Sequence, residues 1–338
     1  MLRPGRLNRI TDVPGLLVGN AHDERIRSGV TVFTAEAPFT AIVDIRGASP
    51  GTRDTNALNL TSVGFPVDAI VLAGGSLYGL DAVSGVLAHF RSIGRGHAYE
   101  TGIAPLPIVP GAILFDLTNG GDKEWGDASP YPSLGRTAVE RATREFSLGN
   151  AGAGYGARAG QYKGGLGSAS TVLDDGIVVG ALAAVNSVGS PVIPGTDAFW
   201  AHPLEQEREF GGRWPNRIGT ISLDLPADMK EGPRAGTNTT LVIVATNAPV
   251  SRVGLQQIAI QATDGFARAV RPSHTPFDGD LVFAVSTATE PPEHSDPNQT
   301  LLLGHIAADT VARAITRGVY KAGTLGTLQS YRSTFGVL

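Results

Sequence analysis

The 338-residue chain contains no cysteine, which excludes disulfide bonds, thiolate metal ligands and a cysteine nucleophile together. Charged residues are scarce, at 17%, and the net charge of −4 offers no basic surface of the kind that binds nucleic acid. No apolar run reaches the roughly 18 residues of a membrane-spanning helix, so no membrane association is expected. The seven histidines form neither an HxH nor an HExxH pattern. The sequence therefore indicates no metal site and no cofactor.

The first 15 residues, MLRPGRLNRITDVPG, lack the apolar segment of a secretory signal, and we expect a cytoplasmic protein. Glycine (44 residues) and proline (22 residues) are abundant, which predicts many turns and closely packed backbone. A hydrophobic content of 42% is enough for one large core or two modest ones. Neither an internal repeat nor a linker divides the chain, so we expect a single domain.

Hydrophobic periodicity predicts alternating strands and helices along most of the chain. The predicted strands are 28–36, 39–47, 67–75, 108–117, two within 171–190, 239–247 and 279–287, with a further candidate at 217–225. The predicted helices are 76–94, 132–146, 251–270 and 301–322. This mixed order favours one layered α/β domain whose sheets are covered by helices.

The segment 147–170 is rich in glycine and contains a pattern that partly resembles a dinucleotide-binding loop. That motif requires a preceding strand and a following helix, whereas here a helix precedes and more glycine-rich chain follows. We therefore interpret the segment as a mobile or closely packed loop. Lys163 is its only lysine, and a solvated side chain is the simplest interpretation of it taken alone.

Three polar positions allow both an ordinary and a catalytic interpretation. Ser76 follows two glycines at the predicted start of a helix, as a helix cap would; a serine-hydrolase elbow needs its second glycine one residue earlier. Asn186 ends an apolar strand, where it would start a turn or donate to an oxyanion. Asp278 and Asp280 flank Gly279 before a buried strand, as a turn or as carboxylates that orient a nucleophile.

The stretch KEGPRAGTNTTLVIVATNAP, residues 230–249, runs from a polar loop directly into a buried strand. Asn238, Thr239 and Thr240 stand at the junction. Thr239 is either an ordinary strand-entry residue or a nucleophile that chain cleavage would expose as a new N-terminus.

Four segments occur together in one order: LAGGSLYGLDAVSGV, the asparagine of AVNSVG, GTNTTLVIVATN and HTPFDGDLVFAVST. In this respect, over roughly residues 10–325, the chain resembles a self-processing hydrolase family. That family includes L-aminopeptidase/D-esterases, β-peptidyl aminopeptidases and endo-type 6-aminohexanoate (nylon) oligomer hydrolases. The resemblance implies a four-layer α-β-β-α sandwich of the N-terminal-nucleophile type. It also implies self-cleavage between Asn238 and Thr239 into an α piece, 1–238, and a β piece, 239–338.

The resemblance further implies that Thr239 is the nucleophile of an enzyme that hydrolyses amide bonds of small peptides, amino-acid amides or oligomers. A threonine hydroxyl needs a base, and a terminal α-amine, with a pKa of about 7.7–8.0, is a suitable one. The residues that the family motif places around Thr239 are Tyr78, Lys163 and Asn186, with Asp278 and Asp280 as orienting carboxylates.

Two departures from the family pattern favour the amidase and oligomer-hydrolase branch over simple aminopeptidases. Ser76 stands where the aminopeptidase branch has a glutamate for the free amine of its substrate, and Asp278-Gly279-Asp280 replaces Ser-x-Glu. The alternative activity is an acyltransferase of the ornithine acetyltransferase type. The family also implies a homo-oligomer, often a tetramer, of processed protomers.

Overall fold

The computed structural model describes residues 2–216, 224–232 and 236–337. The strands are β1 Leu16–Asp23, β2 Ser28–Ile45, β3 Thr52–Arg53, β4 Val67–Ala73, β5 Gly111–Ile113, β6 Arg158–Ala159, β7 Tyr162–Lys163, β8 Gly165–Val172, β9 Val178–Asn186, β10 Thr239–Thr246 and β11 Leu281–Ser286. The helices are α1 Ala82–Ser92, α2 Tyr131–Glu140, α3 Arg252–Ala262, α4 Asp264–Ala269, α5 Pro297–Lys321 and α6 Tyr331–Phe335. Within these ranges no helix is both long and apolar enough to cross a membrane.

The long strand β2 belongs to two sheets and joins them. Its first half pairs with β1 and β4, and its second half pairs with β11. The register shifts between Thr34 and Phe39, where β2 changes from one sheet to the other. The strand order in the described ranges is β3-β5-β4-β2-β11-β10-β9-β8, with β1 beside β2. In this order β10 is a central strand, parallel to β11 and antiparallel to β9.

Alternating side chains of the strands divide the core into three layers. On β10, Leu241 and Ile243 face the space between the two sheets, whereas Val242 and Val244 face α3 and α5. On β4, Ile70 faces the inter-sheet layer and neighbouring residues face α1 and α2. The structure therefore has the α-β-β-α layers that the sequence predicts. Because both faces of β10 are covered, its sequence contains a continuous apolar run.

Most predicted elements are present, with a few differences. The predicted strands 28–36 and 39–47 form the single bent strand β2, and the strand predicted at 108–117 is reduced to β5. Residues 76–81 form a 3₁₀ helix before α1, and Ser76 caps nothing, because Gly75 holds the cap position. The strand predicted at 217–225 falls mostly outside the described residues, and residues 224 and 225 are not in a strand.

The glycine-rich segment is closely packed and contributes to the sheet that carries the candidate site. Its residues form β6, β7 and most of β8, and nearly all of them are buried. A β-carbon on Gly167 of β8 would lie 1.9 Å from the Ala314 carbonyl oxygen and 2.4 Å from the Gly318 nitrogen of α5. Glycine at this position therefore allows α5 to lie directly on the sheet.

This contact predicts a strong position effect for glycine-to-alanine substitutions. Gly167→Ala should destabilise the protein by about 3 kcal/mol, because the new methyl group meets rigid backbone atoms of α5. The matched control is Gly323→Ala, whose β-carbon would meet only the Asn150 side chain, at 3.7 Å. The control should change stability by less than about 0.5 kcal/mol. Guanidinium unfolding of both variants measures the difference, and equal midpoints would show that α5 can move away from β8.

Candidate active site

Strand pairing places the Asn238–Thr239 bond at the start of β10, a central strand of the sheet. Thr239 is the first residue of β10 and lies opposite Asn186, the last residue of β9. On the other side, the residues before β11 run parallel to the residues before β10, and Asn238 pairs with Asp278. Asn238 and Thr239 are 1% and 3% exposed. The sheet thus brings together four of the residues selected from the sequence: Asn186, Thr239, Asp278 and, two residues further on, Asp280.

The carbonyl group of Asn238 accepts two hydrogen bonds. The Gly279 amide donates to this oxygen at 2.9 Å. The hydroxyl of Thr239, the residue that follows the peptide bond, also donates to it. A β-carbon on Gly279 would lie 2.7 Å from Thr239 Oγ1, so only glycine leaves room for the hydroxyl. The interpretation of Asp278-Gly279-Asp280 as a turn is wrong. The turn spans residues 275–278, where the Asp278 amide donates to the Thr275 carbonyl, and Gly279 and Asp280 follow it.

Asp278 is buried and held by neighbouring donors. Its Oδ1 accepts from the Val188 amide at 3.2 Å, and its Oδ2 accepts from the amide and hydroxyl of Thr275 at 3.0 and 2.5 Å. Burial raises the pKa of Asp278, and the negative charge of Asp280 raises it further.

Asp280 connects the start of β10 to a histidine that sequence reasoning missed. Its Oδ1 accepts from the Thr240 amide at 2.7 Å, and its Oδ2 accepts from the backbone amide and Nδ1 of His274, each at 3.0 Å. Burial alone would lower the pKa of His274, but the hydrogen bond and charge of Asp280 outweigh it, so the pKa is raised. The sequence signal for His274 was its position four residues before Asp278, at the start of the segment HTPFDGD.

Asn186 has both ends of its side-chain amide fixed. Oδ1 accepts from the Arg158 amide at 3.0 Å and from Lys230 Nζ at 3.1 Å. Nδ2 therefore points the other way and donates to the Phe115 carbonyl at 3.0 Å and weakly to the Thr237 carbonyl at 3.5 Å. Asn186 is thus oriented as a donor toward the chain that leads into the Asn238–Thr239 bond.

Lys163 is fully buried, so its interpretation as a solvated side chain is wrong. Its Nζ donates to the carbonyl groups of Gly154 and Gly164 at 3.0 and 2.7 Å. Burial lowers the pKa of Lys163 to about 7, and the charge of the buried Asp116 partly opposes that shift. Lys163 is therefore enclosed by the backbone of the glycine-rich segment to which it belongs, and Asp116 is the acid whose charge acts on it.

Tyr78 is half-exposed and contacts an aromatic side chain. Its side chain is 54% exposed, and its ring packs edge-on against Trp125 at 5.6 Å. A cavity of about 790 Å³ opens beside the Asn238–Thr239 bond, and neither Tyr78 nor Ser76 lines it. The residues that do line it are Phe115, Asp116, Thr118, Asn119, Gly120, Gly156, Arg158, Gln161, Asn186, Lys230, Glu231, Gly232, Thr237, Asn238, Thr327, Leu328 and Gln329.

The cavity contains charged residues that the sequence did not single out. Arg158, Lys230 and Asp116 come from β6, from the loop before β10 and from the chain after β5, and no periodicity links them. Lys230 is the first residue of the stretch quoted above, but a loop lysine normally indicates solvent contact. In the described ranges, no group of three or more histidine or acidic side chains could hold a metal ion.

Comparison with known proteins agrees with this geometry. Residues 8–332 match the family described as peptidase family S58. An uncharacterized aminopeptidase of Mycobacterium tuberculosis is 40% identical over 350 aligned positions, covering 97% of this chain and 98% of that protein. A 6-aminohexanoate-oligomer endohydrolase of Kocuria sp. is 32% identical over 300 positions, covering 84% of this chain and 76% of that one.

Solved structures agree on the fold. A β-aminopeptidase of Burkholderia sp. superposes with a TM-score of 0.72 at 21% identity, covering 98% of this chain and 91% of that one. The L-aminopeptidase D-Ala-esterase/amidase of Ochrobactrum anthropi, described as a variant of the Ntn hydrolase fold, gives 0.71 at 19% identity, with 99% and 94% covered.

Together, the α-β-β-α layers and these neighbours define a hydrolase of the N-terminal-nucleophile fold that acts as a peptidase or amidase. The chain belongs to peptidase family S58. The family and fold expected from the four sequence segments are thereby confirmed.

The buried Lys163 predicts a stability that rises with pH. Its pKa is about 7 in the folded chain and near its usual 10.5 when unfolded. Between these values the unfolded chain binds more protons than the folded one, so raising the pH from 7 to 10 stabilises the fold. Lys163→Met should remove this contribution, about 1 kcal/mol or more. The measurement is the difference in unfolding free energy between wild type and variant at pH 7 and pH 9.5; a difference independent of pH contradicts the prediction.

Proposed function

We propose that the chain cleaves its own Asn238–Thr239 bond, and that Thr239 of the resulting β piece hydrolyses amide bonds. The division into pieces 1–238 and 239–338 is part of this proposal. The observation that carries it is the geometry of the Asn238 carbonyl, which receives the Gly279 amide and the Thr239 hydroxyl at once. One donor is suited to stabilise negative charge on this oxygen, and the other is the group that would attack its carbon.

The cleavage step transfers the Asn238 acyl group from nitrogen to oxygen. Thr239 Oγ1 forms a bond to the Asn238 carbonyl carbon, the peptide C–N bond breaks, and the hydroxyl proton ends on the released amine. Water then hydrolyses the ester and leaves a carboxylate on Asn238 and a free amine on Thr239. The Gly279 amide supports the charge that develops on the carbonyl oxygen, because it is fixed in the sheet before the reaction begins.

After cleavage, the α-amine of Thr239 is the base that activates its own hydroxyl. Asp280 already holds the Thr240 amide, and the backbone of Asp278 pairs with that of Asn238, so both aspartates belong to the segment that runs beside the position of the new amine. Asn186, held as a donor, is the candidate for stabilising the tetrahedral oxyanion of a substrate. Lys163 would act through the buried backbone that it supports, and the role of Tyr78 stays a prediction.

The substrates proposed are small peptides, amino-acid amides or amide-linked oligomers. This range is supported by the names of the relatives, an aminopeptidase and an endohydrolase of 6-aminohexanoate oligomers. The cavity volume of about 790 Å³ is in the range of small-molecule sites. The proposal includes the expectations that processed protomers form a homo-oligomer and act in the cytoplasm.

Two adjacent threonines provide a matched test of self-cleavage. Thr239→Val removes the attacking hydroxyl with little change in shape and should leave a single band on a denaturing gel. Thr240→Val is the control, since the Thr240 hydroxyl has no hydrogen-bond partner in the described part of the chain. The control and wild type should give two bands, the smaller beginning Thr-Thr-Leu-Val in wild type. Cleavage of the Thr239→Val chain, or an intact wild type after long incubation, would refute the assignment.

The oxyanion role of Asn186 has its own kinetic signature. Asn186→Asp keeps the shape but replaces the amide donor by an acceptor, and should lower kcat by about 10²–10³ with a smaller change in KM. A purely structural role predicts a lower melting temperature and an unchanged kcat in the folded fraction. Steady-state kinetics and thermal melting of the processed variant distinguish the two.

A further inference from the structure

Two cations line the cavity, and neither pairs with an acidic side chain of the described residues. The Arg158 guanidinium donates to the Gly160 carbonyl at 2.9 Å and to Gln161 Oε1 at 2.8 Å. Lys230 Nζ donates to the carbonyl and to Oδ1 of Asn186, both at 3.1 Å. All of these acceptors are neutral. In the ranges that the structure covers, neither cation forms an ion pair.

The two cations are close enough to repel each other. Burial and, to a lesser extent, the positive charge of Arg158 lower the pKa of Lys230 to about 7, against the opposing charges of Asp278 and Asp280. Lys230 is nevertheless partly accessible, as a residue that lines the cavity would be. Two adjacent, partly desolvated cations are unfavourable, because isolated charge away from water is costly; the repulsion is relieved either when Lys230 loses its proton or when an anion binds to both cations.

No described acid near the cavity forms an ion pair with either cation. Asp116 accepts from the Gly75 amide at 2.8 Å through Oδ1, its Oδ2 has no hydrogen-bond partner among the described residues, and burial raises its pKa. Asp278 and Asp280 accept from the amides and side chains around Thr239 described above. Glu231 lines the cavity but is exposed and forms no ion pair with either cation. The positive charge of Arg158 and Lys230 is therefore directed at whatever enters the cavity.

We infer that Arg158 and Lys230 form a subsite for a carboxylate of the substrate. The preferred ligands are then short peptides or amide oligomers with a free terminal carboxylate, and their carboxamides bind more weakly. The remaining lining supports this choice: uncharged polar groups such as Thr118, Thr327 and Gln329 can hydrogen-bond amide groups along an extended ligand. The role of the ligand as a substrate rests on the proposed function, whereas its binding does not.

The subsite also connects ligand binding to the candidate oxyanion donor. Lys230 holds Asn186 Oδ1, and this bond keeps Nδ2 directed away from the lysine. A carboxylate on Lys230 keeps its ammonium protonated and so maintains the orientation of the Asn186 amide. Lys230 is therefore a binding residue for the anion and a positioning residue for Asn186.

Binding to the uncleaved Thr239→Val chain tests the inference without requiring turnover. The probes are acetyl-triglycine and its C-terminal carboxamide, measured by calorimetry or ligand-observed NMR at low salt. We expect the carboxylate to bind at least tenfold more tightly than the carboxamide. Equal affinities, or no binding of either probe, would overturn the inference. Hydrolysis by the processed wild type is measured separately, so failure of the proposed function is recognised independently.

Substitutions then identify the cations. Arg158→Gln and Lys230→Met should each lower the carboxylate preference several-fold, and Arg158→Lys should retain part of it. Lys230→Met removes a charge from a largely buried position and is expected to fold, which thermal melting checks. Arg136→Gln, on the exposed face of α2 and paired with Glu140, is the control and should keep the full preference. A carboxylate preference that survives both Arg158→Gln and Lys230→Met contradicts the assignment.

A last comparison separates a substrate subsite from a general anion site. Inorganic phosphate and acetate carry the same kind of charge without a peptide chain. Each should displace labelled acetyl-triglycine at least tenfold more weakly than unlabelled acetyl-triglycine does. Phosphate that competes equally well would show a phosphate site and overturn the inference of a peptide carboxylate.

Discussion

The hydrogen bond from the Gly279 amide to the Asn238 carbonyl depends on the parallel pairing of β10 and β11, and the whole site depends on that pairing. It continues the sheet past the last regular residues of both strands, so Asn238–Thr240 and Asp278–Asp280 run side by side. Since β10 is central and covered on both faces, the position of the Asn238 carbonyl cannot change without disturbing the core. A peptide bond held between such rigid elements keeps its geometry whether or not a ligand is bound.

The electrostatics of the site follow from this rigidity. Backbone amides of Val188, Thr240 and His274 satisfy the two carboxylates of the Asp-Gly-Asp segment, which lets acidic groups lie in a mostly buried place. The cations are arranged differently, because their partners are carbonyl and amide oxygens. The acidic side of the site is therefore complete within the chain, while the cationic side leaves charge directed into the cavity.

Much of the architecture could be predicted because its physical signals are local. Alternating and continuous apolar runs marked β4, β10 and β11, and the asparagine, threonine and aspartates of the site lie at the ends of such runs. Boundaries were less predictable where tertiary packing decided them. The glycine-rich segment looked like a loop, but it forms β6 to β8 because glycine is what α5 requires of a strand beneath it. The interpretations of Ser76 as a cap and of Lys163 as solvated failed because they used neighbours in sequence alone.

The sequence by itself determined the layered fold and the entry into a buried strand at Asn238–Thr239, because both depend on residue types at short spacings, and its resemblance to a known family indicated the family. Only the tertiary structure decided which side chains meet there. Asn186 is opposite Thr239 through strand register, His274 supports Asp280 across a turn, and Lys230 reaches Asn186 from 44 residues away. Tyr78 does not line the cavity, and its role stays a prediction. These contacts join distant parts of the chain, and no local periodicity encodes the distance between two side chains on different strands.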